Sequence, residues 1–495
     1  MNEKKNQILD ELMELSDKID PSYPELSVIL SAGHGKRIKS EKSKMLHEIW
    51  GMPSVCRVSE AALKGLSSQN QVIVVGKKAI QVARTLGKRK NRIFVFQEEQ
   101  RGTGDAVKAA IKNDALSSFN GDVYVFPGDM GLLTADTIRR FKKSLNSCGG
   151  EMLVMTGIFE GKPEENYYGR IIKSKSNGNE VIEIKEYKDI LAMDPTADYS
   201  VIFKDHIESF KRDELLNIRE FNTGVYAFNK KSLKRYIDNI TADNVQGEIY
   251  ITDLIKIFNE NGHIVRASRV ANNSYVVAFN VKSVLKKMEG TYRKMIYERL
   301  KDIITIDDAD DFFIAEETVQ RIIEMDKKFP ALDIRIGKGV SIGKNINPNR
   351  GLTIGRHSQL TGNVNTGDNV TIGENVILST YPDQTIEIGN GTNILWGNII
   401  KGNVKLGHNV NIESGVRITG SSENPVIIGN NVLIKGMTYI TGSIIEDDLL
   451  IVHSILKNMY VEKVFKKNGK IQPVKYILPN PEGLDSISTL KKPQD

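Results

Sequence analysis

From Ile334 onward the chain keeps a six-residue beat that admits few architectures. Ile336 and Ile342, Val364, Val370 and Val376, Val404, Val410 and Val416, and Ile428, Ile434 and Ile440 all keep that interval, often with glycine after the aliphatic residue. This is the pattern of a hexapeptide parallel β-helix, in which three hexads close one triangular coil of about 18 residues. One aliphatic side chain per hexad points inward and stacks on its equivalent in the next coil. About 120 residues of this texture imply roughly six or seven coils with ends that need caps. The charged tail after Val461 is the candidate for one cap.

The other half of the chain is organised around Leu26 to Pro53. An apolar run of Leu26, Val28, Ile29 and Leu30 ends in Ser31-Ala32-Gly33-His34-Gly35-Lys36-Arg37, which reads as a buried strand leaving into a glycine loop. Without Cβ atoms at Gly33 and Gly35, backbone N–H groups can approach phosphate oxygens, and Lys36, Arg37 and Lys44 bring positive charge alongside. The implied ligand is a nucleoside triphosphate. A Walker loop would need Ser or Thr where Arg37 follows Lys36, and a dinucleotide fingerprint would need glycine where Ile38 stands. A glycine turn with solvated lysines is the plain alternative.

Ala32-Gly33-x-Gly35-x-Arg37, followed by Lys44-Met45-Leu46-His47, resembles the signature of sugar nucleotidyltransferases, most closely the N-acetylglucosamine-1-phosphate uridyltransferases. Further segments continue the resemblance in the same order: Gln97 to Ala106, Pro127-Gly128-Asp129, Tyr168-Gly169-Arg170, Ile184 to Asp189, Phe221-Asn222-Thr223-Gly224, Asn244 to Asp253, and Ala278-Phe279-Asn280. Gln97 to Ala106 matches the family's Gln-x-x-Gln-x-Gly-Thr-Gly-His-Ala segment, and the chain departs from the family pattern at Pro127, where tyrosine is usual. A polar stretch of about 30 residues from Ile190 to Arg219 exceeds the family's usual connection and carries no motif.

Helix patterns over Ser54 to Leu66 and Ala79 to Leu86 flank an apolar strand at Gln71 to Gly76, an alternation that argues a parallel sheet covered on both faces. The resemblance implies an α/β domain with a doubly wound, mostly parallel sheet, followed by a left-handed parallel β-helix. It implies a magnesium-dependent uridylyltransferase joining UTP and N-acetylglucosamine 1-phosphate to give UDP-N-acetylglucosamine and pyrophosphate. Arg37 and Lys44 would hold phosphates, Ala32, Gly33, Gly35, Gln97, Gly102 and Thr103 the nucleotide, and Gly169, Glu186 and Asn222 the sugar. Asp129 and Asn280 would hold Mg2+, which prefers hard oxygen ligands. On position alone Asp129 reads equally as a turn aspartate. The family's acetyltransferase signatures are missing from the repeat, so His357, His408 and His453 read as surface or turn residues rather than catalytic bases. Rival readings are a bifunctional enzyme that also acetylates glucosamine 1-phosphate, a transferase for another sugar 1-phosphate, and a non-catalytic regulatory subunit.

The expected organisation is an N-terminal helical arm over 1–25, with Ile8, Leu12, Leu15 and Ile19 forming one stripe, and a nucleotidyltransferase domain over 26–300. A linker over 301–333, the β-helix over 334–460 and a tail over 461–495 would follow. The sequence of 495 residues is too long for one ordinary core. A net charge of +6 with scattered lysines suits anionic small substrates and gives no nucleic-acid stripe. Two distant cysteines, Cys56 and Cys148, frame no disulfide scaffold, and no uncharged run approaches the roughly 18 residues that span a bilayer. A cytoplasmic protein that assembles as a homotrimer through its β-helix, without membrane or nucleic-acid partners, is the expectation.

Overall fold

The computed structural model describes residues 2–478 except 34, 177, 179, 205 and 245, and the chain divides into two compact units, Met1–Glu289 and Gly290–Asp495. His34 of the glycine loop and residues 479–495 of the expected cap lie outside the described residues.

In the first unit the main sheet runs in the order Val265–Arg269, Met152–Ile158, Glu220–Asn229, Asp122–Pro127, Glu25–Ser31, Gln71–Val75 and Arg92–Phe96. Only Glu220–Asn229 runs against the rest of this path, pairing antiparallel with both neighbours. Each central strand is apolar on both faces. Leu26 and Val28 enter a core with Val72, Val74, Val107 and Phe258, while Ile29 enters another with Ile73, Phe94, Phe126 and Ile138. Continuous apolar strands of this kind require helices on both sides. Thr103–Ile111 covers the first face, and Ser54–Leu66, Ala79–Leu86 and Ala135–Cys148 cover the second.

The chain passes from Glu25–Ser31 outward through Gln71–Val75 and Arg92–Phe96, then returns to the opposite side of the first strand at Asp122–Pro127. The reversal opens a crevice at the carboxyl ends of these parallel strands, the general ligand position in open α/β sheets. The loops after Ser31, Val75, Phe96 and Pro127 all leave from this edge.

Several boundaries differ from the sequence reading. The first helix is Asn2–Leu15, and its Leu12 is buried in the same core as Ile29. Ile19 lies beyond the helix and enters the other core, because Asp17 N–H turns aside to donate to Arg92 O at 2.7 Å. Glu186 is not within a strand: Val181–Lys185 ends before it and Tyr187–Leu191 is helical. The motif-free insertion forms a hairpin of Tyr199–Phe203 with His206–Phe210 and a short helix, Arg212–Asn217. Val201, Phe203, Phe210 and Leu215 bury themselves with Ile172, Ile182 and Ile190 in a small separate core.

In the second unit three parallel sheets of nine, eight and seven strands stack coil on coil, consistent with a left-handed β-helix. The pairs Thr353 with Thr371 and Asn393 with Asn411 keep the 18-residue coil expected from the hexads. Two longer coils pair Thr371 with Asn393 and Asn411 with Leu433, placing extra residues at Thr380–Asp383 and Ser421–Asn424, where Ser422 Oγ donates to Asp383 Oδ2 at 2.9 Å. Asn369, Asn375, Asn409 and Asn431 occupy left-handed corners, a conformation asparagine tolerates better than most residues. Buried polar side chains are satisfied along the stack: Ser358 Oγ donates to Gly373 O at 2.7 Å and accepts from Val376 N at 3.0 Å.

The repeat is longer than six or seven coils because segments without its sequence signature continue it. Thr305–Ile306 and Phe312–Ile314 pair with Arg335–Ile336 and Val340–Ile342, so residues 301–333 supply strands instead of a bare linker. Val474–Lys475, in the expected tail, pairs with the Leu450–Val452 strand. His357 and His453 sit at left-handed turns, and His408 Nδ1 accepts from Asn390 N at 3.0 Å. Among the described residues no helix is long and apolar enough to cross a membrane.

Candidate active site

Gly35 has φ of 60°, and a Cβ there would lie 2.6 Å from Lys44 Cβ. Glycine is needed twice over, for the left-handed backbone and for the close passage of the Lys44 stem. Gly33 is exposed, and a Cβ there would touch only Met45 Cε at 3.8 Å. Ala32 is buried, and its carbonyl oxygen lies 2.6 Å from where a Cβ on Gly76 would stand. Arg37 lies exposed at the loop's end.

Gly128 lets the ends of two strands come together. A Cβ there would meet Ser31 Oγ at 2.6 Å, and Gly128 N donates to Leu30 O at 2.9 Å. The turn delivers Asp129 to Lys44. Both side chains are buried, and Lys44 Nζ bonds Asp129 Oδ2 while donating to Asn280 Oδ1 at 2.6 Å. The buried Phe279 ring lies 5.6 Å from the same ammonium. His47 packs edge-on to Phe279, its Nε2 is buried without a partner among the described residues, and burial first, then Lys42, holds its pKa below the ordinary value.

Asp129 and Asn280 therefore converge on a single positive atom, the Lys44 ammonium. Two hard oxygen donors, one of them a buried carboxylate, fit Mg2+, whose remaining positions are ordinarily filled by water and substrate phosphate. The residues fit the ion.

Just past the Arg92–Phe96 strand, Gln97 N donates to Val75 O at 2.8 Å, and its side chain is buried. Gly102 has φ of 128° and approaches Ile249 so closely that a Cβ would lie 2.4 Å from its carbonyl oxygen. Ile249 N donates to Arg101 O at 2.7 Å, and Gly104 N donates to Ile249 O at 2.9 Å. The Asn244 to Asp253 run, read in sequence only as a matching string, thus pins the loop that opens the Thr103–Ile111 helix. Thr103 is exposed at that helix start, and its Oγ1 accepts from Ile251 N at 3.4 Å.

At the Tyr168-Gly169-Arg170 turn, a Cβ at Gly169 would lie 2.9 Å from Glu186 Oε1, so glycine admits the carboxyl group. Burial, followed by the charges of Asp189 and Asp253, pushes Glu186 up to about 7. Arg170 is fully buried and fixes this turn through carbonyls, bonding Tyr168 O and donating to Asn166 O at 2.6 Å. Asn222 is more committed than its sequence role suggests. Its Nδ2 donates to Tyr226 OH at 2.8 Å, and its Oδ1 accepts from Gly224 N at 2.9 Å, leaving one N–H for a ligand. Sequence reasoning passed over the Tyr168 and Phe221 rings, stacked at 4.5 Å, because the contact joins segments that only folding brings together. Asp129 contributes to raising the Tyr168 pKa, after burial, which places the phenol in the carboxylate's field.

Folded Glu186 holds its proton up to about 7, whereas the unfolded group releases it near the ordinary value of 4.5. The folded chain binds more protons in that window, so this stability is complete below the lower value and is lost as pH rises through the upper one. Asp253, pushed up to about 6 by burial and then Glu183, contributes in the same direction. Glu186→Gln should therefore flatten part of the decline. Urea midpoints taken at about pH 5 and pH 8 should differ less in the variant than in the wild type, and an unchanged difference would refute the shift.

Residues 27–165 match the MobA-like NTP transferase domain. The chain is 33% identical over 289 residues to bifunctional protein GlmU of Clostridium tetani, covering 58% of this chain and 57% of that protein. It is 34% identical over 288 residues to bifunctional protein GlmU of Lactobacillus johnsonii, covering 58% and 56%. The chain thus spans a little under six-tenths of the length of the curated relatives it matches. Among solved structures, UDP-glucose pyrophosphorylase complexed with UDP-glucose overlaps at a TM-score of 0.39 and 13% identity, covering 55% of this chain and 99% of that one, too loosely to argue from. The domain match and the relatives agree with the order of the sequence motifs: the first unit carries a nucleotidyltransferase domain, and the chain is similar to bifunctional GlmU proteins over 58% of its length.

Proposed function

We propose that this chain joins UTP to N-acetylglucosamine 1-phosphate, releasing pyrophosphate. A phosphate oxygen of the sugar 1-phosphate attacks the α-phosphorus of UTP in line. The new O–Pα bond forms as the bond to the leaving pyrophosphate breaks, so no protein nucleophile is needed. Catalysis of this kind rests on positioning two anions and neutralising charge on the leaving group. The observation that carries the reading is the convergence of Lys44, Asp129 and Asn280 at the carboxyl ends of the strands.

Asp129 and Asn280 would hold Mg2+, which when bound shields phosphate charge. Lys44 and Arg37 would hold the phosphates, with the backbone at Ala32, Gly33 and Gly35 along the triphosphate. Gln97, Gly102 and Thr103 would seat the base. Gly169, Glu186 and the spare N–H of Asn222 would receive sugar hydroxyls. The β-helix would assemble three chains, which light scattering of the full chain would show as three times the monomer mass.

The test is pyrophosphate release with magnesium from UTP, GTP, CTP and dTTP, each paired with N-acetylglucosamine, glucosamine and glucose 1-phosphates. UTP with N-acetylglucosamine 1-phosphate should be the best pair, and no release from any pair would sink the proposal. Preference for another sugar is the second reading. It is favoured by Pro127, which stands where the resembling enzymes have tyrosine and whose ring lies 3.2 Å from a Cβ placed on Gly224.

A further inference from the structure

Gln97 is 4% exposed and sits at the carboxyl end of the Arg92–Phe96 strand. Its Nε2 donates to Asp105 Oδ2 at 2.7 Å and to Gly102 O at 3.4 Å. Asp105 stands in the first turn of the Thr103–Ile111 helix, where a carboxylate is favoured by the helix N-terminus. A carboxylate offers only acceptors, so it dictates which end of the facing carboxamide turns toward it. Turning the amide over would set Oε1 against Oδ2 and lose both bonds. With both N–H groups engaged, Oε1 is the only part of the carboxamide left to meet a ligand, and it can only accept.

We propose that Asp105 is a positioning residue for base selection, locking Gln97 so that its free oxygen accepts from the ring N3–H of uracil and opposes cytosine, whose N3 is itself an acceptor. This rests on the proposed seat of the base at Gln97. It concerns a position where the chain departs from the sequence pattern it resembles, aspartate replacing histidine.

Binding of UTP and CTP to the full chain in magnesium, measured by calorimetry, reads the inference without requiring turnover. Wild type should favour UTP by about tenfold or more, since a buried acceptor facing another acceptor forfeits its hydrogen bond. Asp105→Asn presents either a donor or an acceptor, frees Gln97 to turn over, and should lower the UTP to CTP ratio by about fivefold or more. Asp105→Glu, which retains the carboxylate, should keep most of the preference. UTP methylated at N3 should bind wild type as weakly as CTP, a measurement that depends on no variant folding.

An unchanged ratio in Asp105→Asn, or equal weakening of both nucleotides, would overturn the positioning role while leaving the transfer reaction standing. Equal binding of UTP and CTP by wild type, or full affinity for the methylated base, would remove Gln97 as the reader and this inference with it. UTP-selective binding that relaxes in Asp105→Asn, without pyrophosphate release from any sugar phosphate, would support the inference and sink only the proposed reaction.

Discussion

Asp129→Ala is expected to lower turnover roughly 100-fold or more and to cost about 3–5 kcal/mol of stability. The first effect follows from removing a charged oxygen donor from the proposed magnesium site. The second follows from the ion pair: Lys44 and Asp129 are 7% and 8% exposed, and deleting the carboxylate strands a buried ammonium on the single remaining oxygen of Asn280. Asp129→Asn separates the two. It keeps a side-chain oxygen for Lys44 and should recover part of the stability, while turnover stays low because the negative charge is gone. Steady-state rates at saturating magnesium and urea midpoints decide the matter. An undiminished rate in Asp129→Ala would exclude the residue from the site, and an undiminished midpoint would show that the pair does not stabilise the fold.

The sequence presented Asp129 as a metal ligand or, equally on position, a turn aspartate. The ion pair was illegible because Lys44 and Asp129 lie 85 residues apart and Asn280 lies 236 residues from Lys44; only the return of the chain at the central strands brings them together. What was legible follows from local chemistry. Gly35 and Lys44 stood out as a glycine and a cation near one strand end, and the alternation of apolar strands with helices implied the doubly wound sheet. The insertion was opaque for the opposite reason. In Tyr199–Phe203 the apolar run hides its faces, and only the fold shows Val201 and Phe203 buried with Ile202 exposed. Glu186 falls in a segment that resembles a strand motif of the family, yet in this chain the strand stops at Lys185 and a helix begins at Tyr187. The coils before Arg335 escaped notice because Phe312–Ile314 lies outside the hexad beat and is recruited by pairing with Val340–Ile342.

Lys44→Met should give a chain that is less stable than wild type without magnesium and more strongly stabilised by it. In the wild type the ammonium already satisfies Asp129 and Asn280, so a divalent ion must displace it before taking both oxygens. Methionine retains much of the stem that packs against Gly35 and removes the charge, leaving a buried carboxylate unpaired at a cost of about 3–5 kcal/mol. A ligand that binds only the folded state at 100 times its Kd contributes about 2.7 kcal/mol, so magnesium should restore much of that loss. Melting curves with and without magnesium, in the absence of nucleotide, read this directly: the rise for Lys44→Met should exceed that for wild type by several degrees, and adding Asp129→Ala to the same chain should abolish it. Turnover should fall in Lys44→Met despite the better-filled cation site, because Lys44, once displaced, is the group proposed to hold substrate phosphate. Equal magnesium shifts in wild type and Lys44→Met would mean that the ammonium and the metal do not compete for these two oxygens, and the magnesium site would have to be sought on other residues.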